Sequence, residues 1–354
     1  MKTVSLVGAA SYLPRRIVEN SFFQNGDEEQ THVMFRGVKL RHHVEADESA
    51  QMMIVQAARK LAERLNINLA KDVDILMTNV TSPDQPFTGC GADVGKALGC
   101  RPDWVVDLHN GGCVSFIQMM AQAQALMTCH GARTALLCNV QNAAGRHFAH
   151  PETRKLKQAR IPGDGCGVAY LVASNESPVK TIVQRNYCEY AGDMAAVRAD
   201  GTAWWEPSTA CAYVDFNETK LAAVMGRANR IVPEVIREAC RRADLPTGEI
   251  DTLITNQPNR IFMRNWREAL QVPRDRHVST FERHGNLFGA ALPLCLEEAI
   301  DSGQLKKDSH LVLGGFAHAG DFAAAAVIHW QAPAATSNGW MLPVRSADFG
   351  TVDR

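Results

Sequence analysis

Two short segments, VDILMTNV at 73–80 and TALLCNV at 134–140, are almost continuously apolar, and they constrain the fold more than any other feature of the chain. A strand with one face in water alternates apolar and polar residues, whereas a strand covered by helices on both faces reads as an unbroken apolar run. Segments that could cover them lie alongside. Residues 50–65 form an amphipathic helical pattern, 87–98 and 114–127 read as helices, and 1–8, 104–108 and 163–172 as further strands, 104–108 being read as buried. The order then repeats, with helices at 221–243, 260–270 and 290–302 and strands at 250–255, 310–314 and 323–330. Such alternation predicts a layered α/β architecture, and its repetition predicts two similar halves, 1–175 and 176–330, followed by an extension at 331–354. The similarity is one of element order, not of residues.

Composition narrows the class. With 354 residues, 46% hydrophobic and 21% charged, the chain can bury one large core or two domain-sized ones. A net charge of -1 and a pI near 6.9 give no electrostatic reason to expect nucleic acid or an anionic membrane as partner. No stretch approaches the roughly 20 apolar residues of a membrane span, and the apolar start runs at once into Tyr12-Leu13-Pro14 rather than a cleavage site. Ten cysteines are scattered without CxxC pairs, so reduced thiols in a cytoplasmic setting are expected, not a disulfide framework. His42-His43 and His147-Phe148-Ala149-His150 lack a metal-binding context, and Gly163-Asp164-Gly165-Cys166-Gly167 matches neither GxGxxG nor a GKS/T loop. Neither a metal nor a nucleotide cofactor is expected.

Cys113 is the candidate nucleophile. It stands where the strand 104–108 passes through Asn110-Gly111-Gly112 into the apolar helix 114–127. At a helix N-terminus, unpaired N–H groups and the positive end of the dipole favour thiolate over thiol, and two glycines permit a tight turn. Most core cysteines are small buried hydrophobes, so the local sequence alone leaves the two readings even.

Several motifs in order supply the context: Ser11-Tyr12-Leu13-Pro14, Arg36-Gly37-Val38, Cys113, Gly163-Asp164-Gly165-Cys166-Gly167, Asn256-Gln257-Pro258-Asn259, Arg283-His284-Gly285-Asn286 and Gly314-Gly315-Phe316. Together they resemble 3-oxoacyl-acyl-carrier-protein synthase III, the ketoacyl synthase III branch of the thiolase superfamily, over roughly residues 1–330. The resemblance implies a thiolase-like five-layered α-β-α-β-α fold from two duplicated halves, a homodimer, and a narrow channel for a phosphopantetheine arm. It also implies a Cys-His-Asn set in which the cysteine takes an acyl group from a coenzyme A or carrier-protein thioester. Here Asn256 stands at the histidine position, while Cys113 and Asn286 keep the other two. Asn259 and His284 are read as scaffold.

Asparagine donates hydrogen bonds but does not titrate, so Asn256 and Asn286 are expected to hold a carbonyl oxygen and not to shuttle protons. Cys113, Gly315 and Phe316 are the expected oxyanion donors. The predicted activity is acyl transfer from a thioester through Cys113 to an acceptor, in specialised metabolism; decarboxylative condensation with a malonyl thioester and a catalytically silent partner subunit are the alternatives. A transfer to an alcohol or amine needs a base, for which His318 and His109 are the candidates, although a hydrogen-bonded structural histidine is the commoner case for each. The segment that would contact the coenzyme A adenine is short and Arg36 precedes Gly37, which favours an acyl-carrier-protein donor. Arg154, Lys155, Lys157, Arg160, Arg260, Arg264 and Arg267 are the residues expected to meet its acidic surface. Trp204-Trp205 is read as lining either an acyl pocket or a dimer contact.

Overall fold

The computed structural model describes residues 3–23, 32–109, 111–215 and 218–331. Asn110 and the extension from 332 onward, with Trp340 and Phe349, lie outside them. In chain order the first half comprises β1 (Val4–Tyr12), β2 (Arg16–Glu19), β3 (Leu40–His43), α1 (Ala50–Leu65), β4 (Ile75–Val80), α2 (Gly91–Leu98), β5 (Trp104–Asp107), α3 (Ser115–His130), β6 (Thr134–Gln141) and β7 (Gly165–Ala173). The second comprises β8 (Val179–Asn186), β9 (Ala195–Arg198), β10 (Ala212–Asp215), α4 (Glu218–Arg242), β11 (Thr252–Thr255), α5 (Arg260–Ala269), α6 (Phe281–His284), α7 (Ala291–Asp301), β12 (Ser309–Ala317) and β13 (Phe322–Trp330).

Two sheets carry the molecule, in the orders β1-β7-β6-β4-β5 and β8-β13-β12-β11. In the first, β4 is parallel to β6 and the pairs β6–β7 and β7–β1 are antiparallel; in the second, β11 is parallel to β12 and the pairs β12–β13 and β13–β8 are antiparallel. The four-strand pattern is therefore repeated. Helices α1 and α2 cover the outer face of the first sheet, α4 and α5 that of the second, and α3 and α7 lie between the sheets. The result is the α-β-α-β-α layering.

The side-chain period of a strand explains how one segment serves two layers. Along β12, Leu311 and Leu313 join the core shared with the central helices, while Val312 and Phe316 join the core under α4 and α5. The alanines of β13 divide in the same way, Ala324 and Ala326 inward, Ala323 and Ala325 outward. Small side chains there let two layers of helix approach one strand. Helix ends follow local chemistry. The Ser49 hydroxyl accepts the Met52 N–H at 3.1 Å to start α1, and Asn66 at φ 51° ends it.

Three sequence expectations are corrected. The strand at 104–108 is not buried: β5 is a sheet edge, with Trp104 and Val105 exposed. An edge strand is paired on one side only, so an apolar run can lie open. The helix expected from 87 begins at Gly91, because Asp107 accepts the N–H groups of Cys90 and Gly91 and fixes the start there, leaving Phe87 exposed in the preceding turn. The ribbon β9–β10 and the ribbon β2–β3 were not anticipated, since each is four residues long and lacks a clear apolar alternation.

Candidate active site

Cys113 lies in a single 3-10 turn, Gly112–Val114, that leads directly into α3. Gly112 holds φ +47°, and a Cβ on it would stand 2.9 Å from the Ala317 Cβ and 3.0 Å from His318 Nε2. Glycine is thus required both by conformation and by the approach of the β12–β13 turn. The thiol is partly buried, and burial pushes it up to about 12, against a hydrogen bond from Asn256 that pulls the other way. Burial thus acts against the thiolate that the helix start was expected to favour. Desolvation disfavours the charged form of a buried thiol.

Asn256 follows β11, and its N–H continues the ladder to Gly314 O at 3.1 Å. Its side chain is fully buried and doubly held: Nδ2 donates to Phe316 O at 3.1 Å and the Phe316 N–H donates to Oδ1 at 3.4 Å. The Phe316 N–H, expected in an oxyanion hole, is turned to this amide instead. Gly315 serves by its size, since a Cβ there would come within 2.3 Å of Asn256 Oδ1 and 2.9 Å of Val114 Cγ1. Asn286 lines the same cavity. Its Oδ1 accepts the Phe288 N–H at 3.0 Å, which leaves the donor end of the amide for a ligand.

These groups meet at one cavity of about 280 Å³, lined by Cys113, Asn256, Asn286, His109 and His318 together with Asn79, Thr81, Gln158 and Asn259. The rest of the wall is mostly apolar, including Met34, Phe35, Val80, Phe148, Ile161, Met194, Val214, Val224, Phe262, Phe288 and Phe316. His109 is exposed at the end of β5. His318 Nδ1 lies 2.9 and 3.1 Å from the two carboxylate oxygens of Asp321.

Asn259 caps α5, its Oδ1 accepting the Phe262 N–H at 2.9 Å, and His284 Nε2 meets Glu298 at 3.2 Å; both have the scaffold roles read for them. Asp164 accepts the N–H groups of Val44, Ala144 and Gly145 and ties three loops under the cavity. Burial nevertheless pushes its carboxyl up to about 7. Trp204 and Trp205 are 65% and 71% exposed and take no part in the cavity wall. Of the basic residues, Arg160 is buried, Lys155 pairs with Glu152 at 3.0 Å and Arg260 pairs with Glu282. Asp321 was missed by sequence reasoning. The signal was available as His-Ala-Gly-Asp, a histidine and a carboxylate three apart across a glycine turn.

In this α-β-α-β-α fold a cysteine before a central helix shares one mostly apolar cavity with two asparagines. Residues 240–330 match the family described as 3-oxoacyl-[acyl-carrier-protein] synthase III C terminal. The β-ketoacyl-[acyl-carrier-protein] synthase III of Neisseria gonorrhoeae is 27% identical over 338 residues, with 93% of this chain and 99% of that protein covered. That of Clostridium perfringens is 24% identical over 330 residues, covering 89% and 96%. The solved structure of the Thermus thermophilus synthase III superposes with a TM-score of 0.78 at 26% identity, covering 92% of this chain and 99% of that one. The priming β-ketosynthase of the R1128 polyketide pathway shares the fold at a TM-score of 0.80 and 22% identity, covering 94% and 98%. Over most of its length the chain is therefore similar to β-ketoacyl-[acyl-carrier-protein] synthase III proteins, at 24–27% identity, and it shares their fold.

Proposed function

We propose that the protein is an acyltransferase of ketoacyl synthase III type, which loads an acyl group on Cys113 from a coenzyme A or carrier-protein thioester and passes it to an acceptor. The observation that carries this reading is the placement of the Cys113 thiol in a mostly apolar cavity that it shares with the neutral amides of Asn256 and Asn286. The thiol sulfur attacks the thioester carbonyl carbon, the donor carbon–sulfur bond breaks, and the pantetheine sulfur leaves with a proton. The cavity volume suits a small or medium acyl group on a pantetheine arm, whose methylenes would lie against the apolar wall. Asn256 is the counterpart of the family histidine in this reading, and Asn286 supplies an N–H to the acyl oxygen.

Incubation with acetyl-, malonyl- and octanoyl-coenzyme A followed by intact-mass measurement tests the first half-reaction. An acyl adduct is expected on the wild type and none on Cys113→Ala; turnover undiminished in Cys113→Ala defeats the reading. The relatives named as synthases favour decarboxylative condensation as a second reading, for which carbon dioxide release from a malonyl thioester is the measure. The exposed edge strand β5, with Trp104, Val105 and nearby Phe87, suits pairing with a second copy of the chain. Light scattering at two chain masses is the expected result, and a monomer mass removes the homodimer. Ten free thiols suit a reducing, cytoplasmic compartment.

A further inference from the structure

We infer that His318 and Asp321 form a general-base dyad and that the acceptor is a hydroxyl or amine, not a carbon nucleophile; this rests on the acyl-Cys113 reading above. Among the described residues lining the cavity, the only nitrogen bases are His109 and His318, the other polar groups being the thiol, a hydroxyl and neutral amides. His318 is the one set against a carboxylate, with Nδ1 at 2.9 Å from Asp321. That bond makes Nδ1 the donor and leaves Nε2 basic. Nε2 is directed at Gly112, 3.0 Å from the place of a Cβ on it, one residue from the thiol.

The backbone adds a second argument. His318 holds φ +48° in the turn closed by the Gly320 N–H on Ala317 O at 2.9 Å, and Arg227 fixes that turn by donating to Ala319 O at 2.7 Å. Positive φ is uncommon for any residue with a side chain, so the turn holds His318 in a sparsely populated conformation.

The chemistry requires such a group. When a malonyl thioester loses carbon dioxide, the breaking carbon–carbon bond supplies the electron pair and no proton need be removed. When a hydroxyl or amine attacks acyl-Cys113, its proton goes to His318 Nε2 as the new bond to the carbonyl carbon forms. The carbon–sulfur bond then breaks, and the imidazolium returns the proton to the Cys113 sulfur. Asp321 acts through the imidazole as a positioning residue.

The test uses full-length enzyme loaded with acetyl-coenzyme A, or with octanoyl-coenzyme A if that loads better, and follows loss of the acyl group by intact mass. Ethanol at about pH 7.5 needs a base, whereas dithiothreitol at about pH 9 supplies its own thiolate. His318→Asn tolerates the left-handed backbone and is expected to slow ethanolysis about 100-fold while leaving thiolysis within about threefold. Asp321→Asn should slow ethanolysis about tenfold, with Asp321→Glu recovering part of it. Ethanolysis unchanged in His318→Asn, or thiolysis falling in step with it, overturns the dyad. If no donor loads the wild type, the acyl-transfer reading fails by itself. Alkylation of Cys113 by iodoacetamide at about pH 7.5 then decides the dyad: about tenfold slower in His318→Asn supports it, and equal rates overturn it.

Discussion

In the first half Thr81 follows β4 and its N–H bonds Val140 O at 3.0 Å, and in the second Asn256 follows β11 and its N–H bonds Gly314 O at 3.1 Å. Each half also places a 3-10 turn ahead of its central helix, Gly112–Val114 before α3 and Phe288–Ala290 before α7. The two sets of ends line the same cavity. Their chemistry differs: the first turn carries a thiol, and the second carries Phe288, beside an asparagine that holds it. The stretch after β6 is tied to Ser82 through Asn142, whereas the stretch after β12 holds His318 and Asp321. Duplication of a scaffold thus supplies two sets of positions at one cavity; on the reading proposed above, one set provides the nucleophile and the other holds the substrate and moves protons.

Making the second wall titratable is the sharpest way to break that division. Asn256→His, tested with a malonyl thioester, is expected to raise carbon dioxide release about tenfold, because a charged donor forms a bond about twice as strong as a neutral one. No gain would show that the amide is not what limits decarboxylation. A smaller effect follows from closing the gap between the walls. Gly315→Ala brings a Cβ within 2.3 Å of Asn256 Oδ1 and should cost about 1–3 kcal/mol of stability, read from thermal or urea melts, with slower acylation because Val114 must shift as well.

A third test concerns what the halves share. Burial, with Arg41 and Arg16 adding to it, pushes His43 down to about 3, and burial with Arg267 does the same to His277. His277 Nε2 lies 3.0 Å from Thr255 Oγ1, directly before Asn256, and His43 is packed edge-on to Phe22 and Phe23. The unfolded chain binds protons below about 6.5 while these folded imidazoles stay neutral, so their contribution is present above that pH and is lost as pH falls toward 3. Urea melts at pH 7 and 5 should show a loss on the order of 1–2 kcal/mol per histidine. A flat profile would mean that the two rings titrate normally and that neither half seals its histidine.

Much of the layering was legible. Residues 50–65 coincide with α1, and the runs at 73–80, 134–140 and 250–255 contain β4, most of β6 and β11, because continuous apolar runs bounded by turns leave few alternatives. The strand-to-helix position of Cys113 was legible for the same reason. Exposure at β5 was not, since an apolar run looks the same at a sheet edge as at its centre and only strand order tells them apart.

The site divides along the same line. The order of its motifs, the thiol, the two asparagines and the absence of an imidazole at 256 are properties of the linear chain. The proton affinity of the thiol, the turning of the Phe316 N–H to Asn256 and the meeting of His318 with Gly112 arise only when two distant strand ends are packed together. Covalent order decides which groups exist and which local structures they prefer; desolvation and the direction of hydrogen bonds depend on neighbours that the chain brings in from afar.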